Sequence, residues 1–312
     1  MSRLVLSILY SGIYTVQVQT SNNWQANLLL LITAMIWGFS FVAQRQGMEH
    51  VSPFTFNAVR FGIGAASLLP IIVLNRRKQT KILPSLLSLP GLTGGFFLGL
   101  ALFFGSSFQQ IGIADTTAGK AGFITGLYVI LVPILGLSWK QKTGRGTWMG
   151  SMLAVIGMYF LSVNDEFIIS KGDLLVLISA LFWAIHVQLI SWFSQKFDPL
   201  LLSLHQFSFC SVFSWLAALK WDIITLSGIQ AALFPLLYTG ILSVGIAYTL
   251  QIVAQKRTHP GHAAIILSLE SVFAVIGGYV FLAEIIPIRG LFGCGLMLAG
   301  MVLSQLLSRK KE

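Results

Sequence analysis

Two ionisable side chains, Arg60 and Glu270, lie deep inside long apolar runs. Placing a charge in hydrocarbon costs roughly 2.5–3.5 kcal/mol on insertion scales, so each is a candidate for function. A carboxyl in low dielectric can hold and release a proton, so Glu270 reads as a proton-coupling or substrate-amine site. Its blander role is a protonated glutamate bonding a neighbouring backbone. Arg60 reads as a ligand for a substrate carboxylate, against the blander roles of bonding helix carbonyls or snorkelling to the surface. Counting at 1.5 Å per residue puts Arg60 ~9 Å in from one end of its segment and Glu270 ~10 Å in from the opposite face. In a ~30 Å core the two then differ by ~10 Å in depth, which weighs against a direct ion pair, although a long Arg side chain and one water could narrow the gap.

Polar and aromatic residues join them. His186 and His205 each stand in an apolar run, where a lone histidine usually bridges helices; His186 shares a helix face with Trp183, three residues earlier. Trp37 and Trp183 fall inside their runs rather than at the ends, where an interfacial aromatic belt would place them. They are read as stacking on or gating a substrate, or as lipid-facing packing. Tyr128 and Glu270 are 142 residues apart, as are Gln109 and Gln251. If the chain is duplicated, these four flank the axis relating its halves and mark a central site. His259 and His262 are separated by Pro260-Gly261, which reads as a turn; two such ligands are weak evidence for metal, and none is expected.

The same inventory argues against other chemistries. No Gly-x-x-x-x-Gly-Lys-Ser/Thr loop is present, so ATP is not expected to act directly, and no cofactor is called for. Ser106 and Ser107 follow a glycine but lack the second glycine of a nucleophile elbow, and His205 has no evident catalytic partner. Cys210 and Cys294 lie in apolar stretches and form neither a disulfide framework nor a ligand cluster. Fifty-five per cent of the 312 residues are hydrophobic and 10% charged, against about 25% charged in soluble domains. Lipid must therefore cover most of the surface. The net charge of +10 comes from Lys and Arg in short connectors, the pattern of a membrane protein rather than a nucleic-acid binder.

The elements that must carry these residues are ten membrane-spanning helices. A span needs about 20 apolar residues. The candidates are 27–44, 54–74, 88–109, 119–139, 147–163, 173–194, 200–219, 231–254, 263–282 and 290–307. With the first N-terminus in the cytoplasm, fourteen basic residues fall inside and five outside (Arg45, Lys120, Lys171, Lys220, Arg289). Both termini are then cytoplasmic. A reporter fused after Lys311 is expected to read cytoplasmic, and one placed within 165–171 external; either opposite result overturns this topology. Residues 1–26 form a cytoplasmic or interfacial extension and 308–312 a basic tail.

The chain also repeats. Ile32 to Trp37 aligns with Ile178 to Trp183 at an offset of 146, as do Pro53 with Pro199 and Phe61 with Phe207. Gly150, Gly157 and Met158 meet Gly293, Gly300 and Met301 at 143. Two units result, 27–163 and 173–307, of five spans each. An odd number of spans makes the second copy start on the opposite side of the membrane, so the halves are inverted, an arrangement suited to alternating access. The pairs Gly95/Gly99, Gly122/Gly126 and Gly146/Gly150 have the spacing of close helix contact, and Pro133 is expected to bend the fourth span.

The chain resembles the EamA group of the drug/metabolite transporter superfamily. The resemblance rests on Ala34 to Phe41, on Pro53 to Arg60, on Thr116 to Pro133, and on Leu269-Glu270 through Glu284 to Gly293 and Gly300. It covers about 27–307; Ser271 departs from it, where a proline commonly follows the glutamate. The resemblance implies an all-α protein of ten helices with a cavity lined by spans 1, 3, 4, 6, 8 and 9. It further implies a permease in the cell membrane that moves small organic metabolites, often amino acids and frequently outward. The lipid bilayer and a small-molecule substrate are the implied partners, with protons as a candidate coupling ion. An intramembrane enzyme or a non-transporting scaffold are the competing readings.

Overall fold

The computed structural model describes residues 24–76, 89–162, 170–285 and 288–309, and every regular element among them is helical. The sequence expectations for 1–23, for Arg77, Lys78 and Lys81, for 163–169 and for Lys310 and Lys311 fall outside the described residues. In chain order the helices are α1 (Trp24–Gly47), α2 (Pro53–Arg76), α3 (Leu89–Ile113), α4 (Ala118–Gly126), α5 (Tyr128–Ser138), α6 (Arg145–Ser162), α7 (Lys171–Phe193) and α8 (Pro199–Trp221). Then come α9 (Leu226–Ala231), α10 (Leu233–Leu237), a π-helix (Tyr238–Tyr248), α11 (Thr249–Gln255), α12 (Pro260–Leu267), α13 (Glu270–Leu282) and α14 (Ile288–Arg309). Helices are forced here because backbone groups in hydrocarbon find partners only within their own segment.

Among the described residues, eight stretches are long and apolar enough to cross a membrane: α1, 53–74 of α2, 91–113 of α3, α4 with α5, α7, α8, α10 through α11, and α12 with α13. Of α14, residues 288–304 are apolar but shorter. Large apolar side chains on these stretches, among them Leu219, Phe234 and Phe281, are exposed.

Local sequence explains where the helices begin. Pro53 and Pro199 open α2 and α8, where a missing N–H costs nothing. Asp198 accepts from the Leu201 N–H, and Ser170 and Asp173 form a reciprocal capping box at α7. Two boundaries correct the sequence reading. The first helix starts at Trp24, not 27. Pro260-Gly261 begins α12 instead of forming a turn, with the His259 side chain capping the Gly261 N–H. Burial holds His259 below the ordinary histidine range, so its Nδ1 stays neutral and able to accept.

Two long segments are interrupted. α4 gives way to α5 at Leu127, and α12 to α13 at Ser268-Leu269. Pro133 sits within α5 without ending it, and the span is interrupted six residues earlier, at Leu127. The substitution of Ser271 for proline does not remove the second break; its hydroxyl bonds the Gly122 carbonyl at 2.7 Å and ties α13 to α4.

Glycines set the closest approaches. A Cβ at Gly150 would lie 2.7 Å from the Gly300 carbonyl oxygen, and one at Gly300 would lie 2.7 Å from that of Gly150. Gly157 faces Gly293 in the same seam between α6 and α14. Gly95 and Gly99 seat α8 through His205 and Phe209. Gly300→Val is expected to destabilise the protein by ~1–3 kcal/mol through overpacking, read as a lower unfolding midpoint in detergent; an unchanged midpoint would contradict this seam.

Candidate functional site

The two interruptions bring their flanking residues to one place. Tyr128 opens α5 and Glu270 opens α13, and the tyrosine hydroxyl lies beside the carboxyl. Both line one cavity among α1, α2, α3, α4, α5, α7, the π-helix, α11 and α13. All eight candidate residues line it: Arg60, Gln109, Tyr128, Trp37, Trp183, His186, Gln251 and Glu270. Arg60 adds the second span to the six that the family resemblance implied. His205 is not among the lining residues, and no metal-ligating group of three or more His, Cys, Asp or Glu occurs among the described residues.

Arg60 is 2% exposed, which excludes snorkelling. Its Nε donates to Asn57 Oδ1 at 2.9 Å, and its guanidinium carbon stands 4.9 Å from the Phe61 ring centre. Nη2 has no partner, and among the described residues no carboxylate pairs with Arg60. A buried guanidinium without a counter-charge is expensive to maintain. Glu270 is 3% exposed, and its Oε1 also lacks a partner. The structure thus keeps a donor cation and an acidic acceptor apart in one cavity.

The remaining walls are aromatic and amide. Tyr248 stands at their centre: Trp37 is 4.6 Å away between ring centres, His186 5.9 Å and Trp183 6.1 Å, the last in a stacked orientation. Trp37 Nε1 donates to the Ser243 carbonyl of the π-helix at 3.2 Å, which fixes that indole; Trp183 Nε1 is unpartnered. Both tryptophans therefore face the cavity, not lipid. His186 Nε2 meets Gln206 Oε1 at 2.9 Å, so this histidine does bridge helices while lining the wall. Gln109 donates to Thr125 Oγ1 at 3.0 Å, and Gln251 Oε1 is free of partners.

Sequence reasoning missed Tyr248, Gln44 and Ser243. Tyr248 pairs by offset with Ser106, and Gln44 with Ile190, so the repeat comparison that marked Tyr128 and Glu270 had nothing to align there. The π-helix was equally unsigned, and such turns gather at functional positions.

Known proteins share this architecture. The model of the EamA-like transporter family matches residues 24–163 and again 170–306. An uncharacterized transporter of Archaeoglobus fulgidus is 35% identical over 286 residues, covering 90% of this chain and 86% of that protein. The uncharacterized transporter YoaV of Bacillus subtilis is 25% identical over 304 residues, covering 90% and 97%. A solved crystal structure superimposes with a TM-score of 0.76 at 18% identity, over 92% of this chain and 98% of that one, and shares the fold. With a multi-pass helical body and two successive matches to one family model, the chain belongs to the EamA-like transporter family.

Proposed function

We propose that the protein is a secondary transporter, not an enzyme, that carries a small zwitterionic metabolite such as an amino acid by alternating access, more readily outward than inward. One observation carries this reading. Unpartnered donors (Arg60 Nη2, Trp183 Nε1) and unpartnered acceptors (Glu270 Oε1, Gln251 Oε1) line the same cavity. A buried polar group left without a partner costs ~1–3 kcal/mol, so several gathered in one cavity favour a ligand that satisfies them. A carboxylate suits the donors and an amine the acceptors. The aromatic wall around Tyr248 suits an apolar side chain or the face of a cation.

Ten spans in two inverted halves remain the topology proposed here, with both termini in the cytoplasm of a cell-membrane protein. Several contacts support the inversion. Under an offset of 143, the Gly150–Gly300 contact exchanges with Gly293–Gly157, as an antiparallel pair on a two-fold axis would. The breaks before Tyr128 and Glu270 are 142 residues apart. Discontinuous helices meeting at a central site are a recurrent transporter device. Glu270 is the proposed proton-coupling group.

The test is uptake and exchange in vesicles reconstituted with the pure protein, across a panel of amino acids, their decarboxylated amines and their deaminated acids. The zwitterions are expected to be preferred at least tenfold over both analogues. Equal transport of all three classes, or of none, would reject the assignment.

A further inference from the structure

The two halves end their cavity with the same backbone device and opposite chemistry. Lys140 and Ala283, 143 residues apart, both hold φ in the left-handed region, at 56° and 53°. Each is followed by a residue whose N–H turns back to a glycine carbonyl: Gln141 to Gly136 at 2.9 Å and Glu284 to Gly278 at 3.0 Å. Both side chains then reach across to the other half. Glu284 Oε1 pairs with Arg45 at the end of α1, 2.8 Å away, and accepts the Ala118 N–H at 3.1 Å; Oε2 accepts the Gly119 N–H at 3.3 Å. A carboxylate there also meets the positive end of α4. Gln141 instead donates to Gln188 Oε1 at 2.8 Å, one turn from the position equivalent to Arg45. Its own Oε1 has no partner, so the start of α12 is not clasped.

A second pair of contacts repeats the contrast. Lys120 Nζ meets Asp173 Oδ2 at 2.6 Å, joining α4 to α7, and Thr116 donates to the same carboxylate at 2.9 Å. At the equivalent positions His262 Nε2 meets Asn27 Oδ1 at 3.3 Å, joining α12 to α1. One end of the cavity is thus closed by two ion pairs with helix-capping bonds. The other is closed by neutral side chains alone: Gln188 also donates to the Val132 carbonyl at 2.7 Å, and His262 Nδ1 meets Ser304 Oγ at 3.1 Å.

We infer that these are the two gates and that Glu284 is the latch that biases the carrier toward opening at the Gln141 end. This rests on the alternating-access reading above. Opening at the Arg45 end must break charge-assisted bonds, which are about twice as strong as neutral ones. Opening at the Gln141 end breaks contacts between neutral groups. In the proposed topology the Arg45 end faces outward, so the cavity opens more readily to the cytoplasm and loads from there. Export is then the direction in which each cycle waits for substrate before the latch is broken.

The test reads gate position without transport. Ser243→Cys, which lines the cavity, is introduced with Cys210→Ser and Cys294→Ser, and sealed vesicles of either orientation are treated with a membrane-impermeant maleimide. Labelling is expected to be slow from the Arg45 side and fast from the Gln141 side. Glu284→Gln should raise the Arg45-side rate roughly five- to thirtyfold, and Gln141→Glu should not. If Glu284→Gln fails to fold, Arg45→Gln tests the same latch and should give the same increase. Unchanged Arg45-side labelling in a folded variant of either residue overturns the inference. Because labelling needs no substrate, that failure is distinct from failure of the transport assignment.

Discussion

Replacing Arg60 by methionine should raise the KM for a zwitterionic substrate about 10- to 100-fold in reconstituted vesicles, while the protein stays folded. The magnitude follows from removing one charge-assisted hydrogen bond, worth ~1.5–3 kcal/mol in a dry site. Methionine keeps an apolar stem against Phe56 and Phe61, over whose rings the guanidinium now lies. Structural loss is therefore small. Stability should even rise, because the variant no longer buries a cation without a carboxylate partner. A raised unfolding midpoint together with a raised KM is the signature of a residue kept for its ligand, not for the fold. The decarboxylated amine, which has no group for Arg60, should be transported equally by both proteins. A KM unaffected by Arg60→Met would remove the carboxylate from the proposed substrate.

Glu270→Gln should abolish accumulation driven by a pH gradient and leave counterflow of preloaded substrate measurable. Glutamine preserves shape and hydrogen bonding but cannot exchange a proton. The arrangement supports the proposed coupling role: Glu270 is buried at the start of α13, Tyr128 faces it from the start of α5, and no cation pairs with it among the described residues. pH-driven uptake should fall to the level of empty vesicles, a loss of tenfold or more if coupling passes through this carboxyl alone. Pair this variant with Tyr128→Phe, which keeps the carboxyl and removes its neighbour's hydroxyl; pH dependence should persist there with a shifted midpoint. Unchanged pH dependence in Glu270→Gln would sink the coupling role.

Much of the site could be read from residue type because hydrocarbon makes polar groups conspicuous. Arg60 and Glu270 stand out in apolar runs, and the duplication pointed to Tyr128, Gln109 and Gln251 without any structure. All of them line the cavity. What could not be read was anything set by long-range packing. Tyr248 looks like an ordinary interior aromatic until Trp37, Trp183 and His186 converge on it. A bend was expected at Pro133 because proline has a local signature, whereas the one-residue interruption between Gly126 and Tyr128 has none and went unread. Helix starts were better marked where a cap existed, as at Ser170 and Asp198, than where a proline could open either a turn or a helix, as at Pro260.

The glycine seam between α6 and α14 has a mechanical consequence. Gly150 faces Gly300 and Gly157 faces Gly293, so the seam exchanges with itself when the halves are swapped. Such contacts lie about the axis on which two like bodies would turn, and points near an axis travel least. Leu153, Met297 and Ser304 pack closely around these glycines, so in the proposed cycle the seam would act as a close-fitting pivot: the bodies swivel while the peptide planes keep their spacing. Work done against friction then falls on the far ends of the cavity, where the bonds are made and broken.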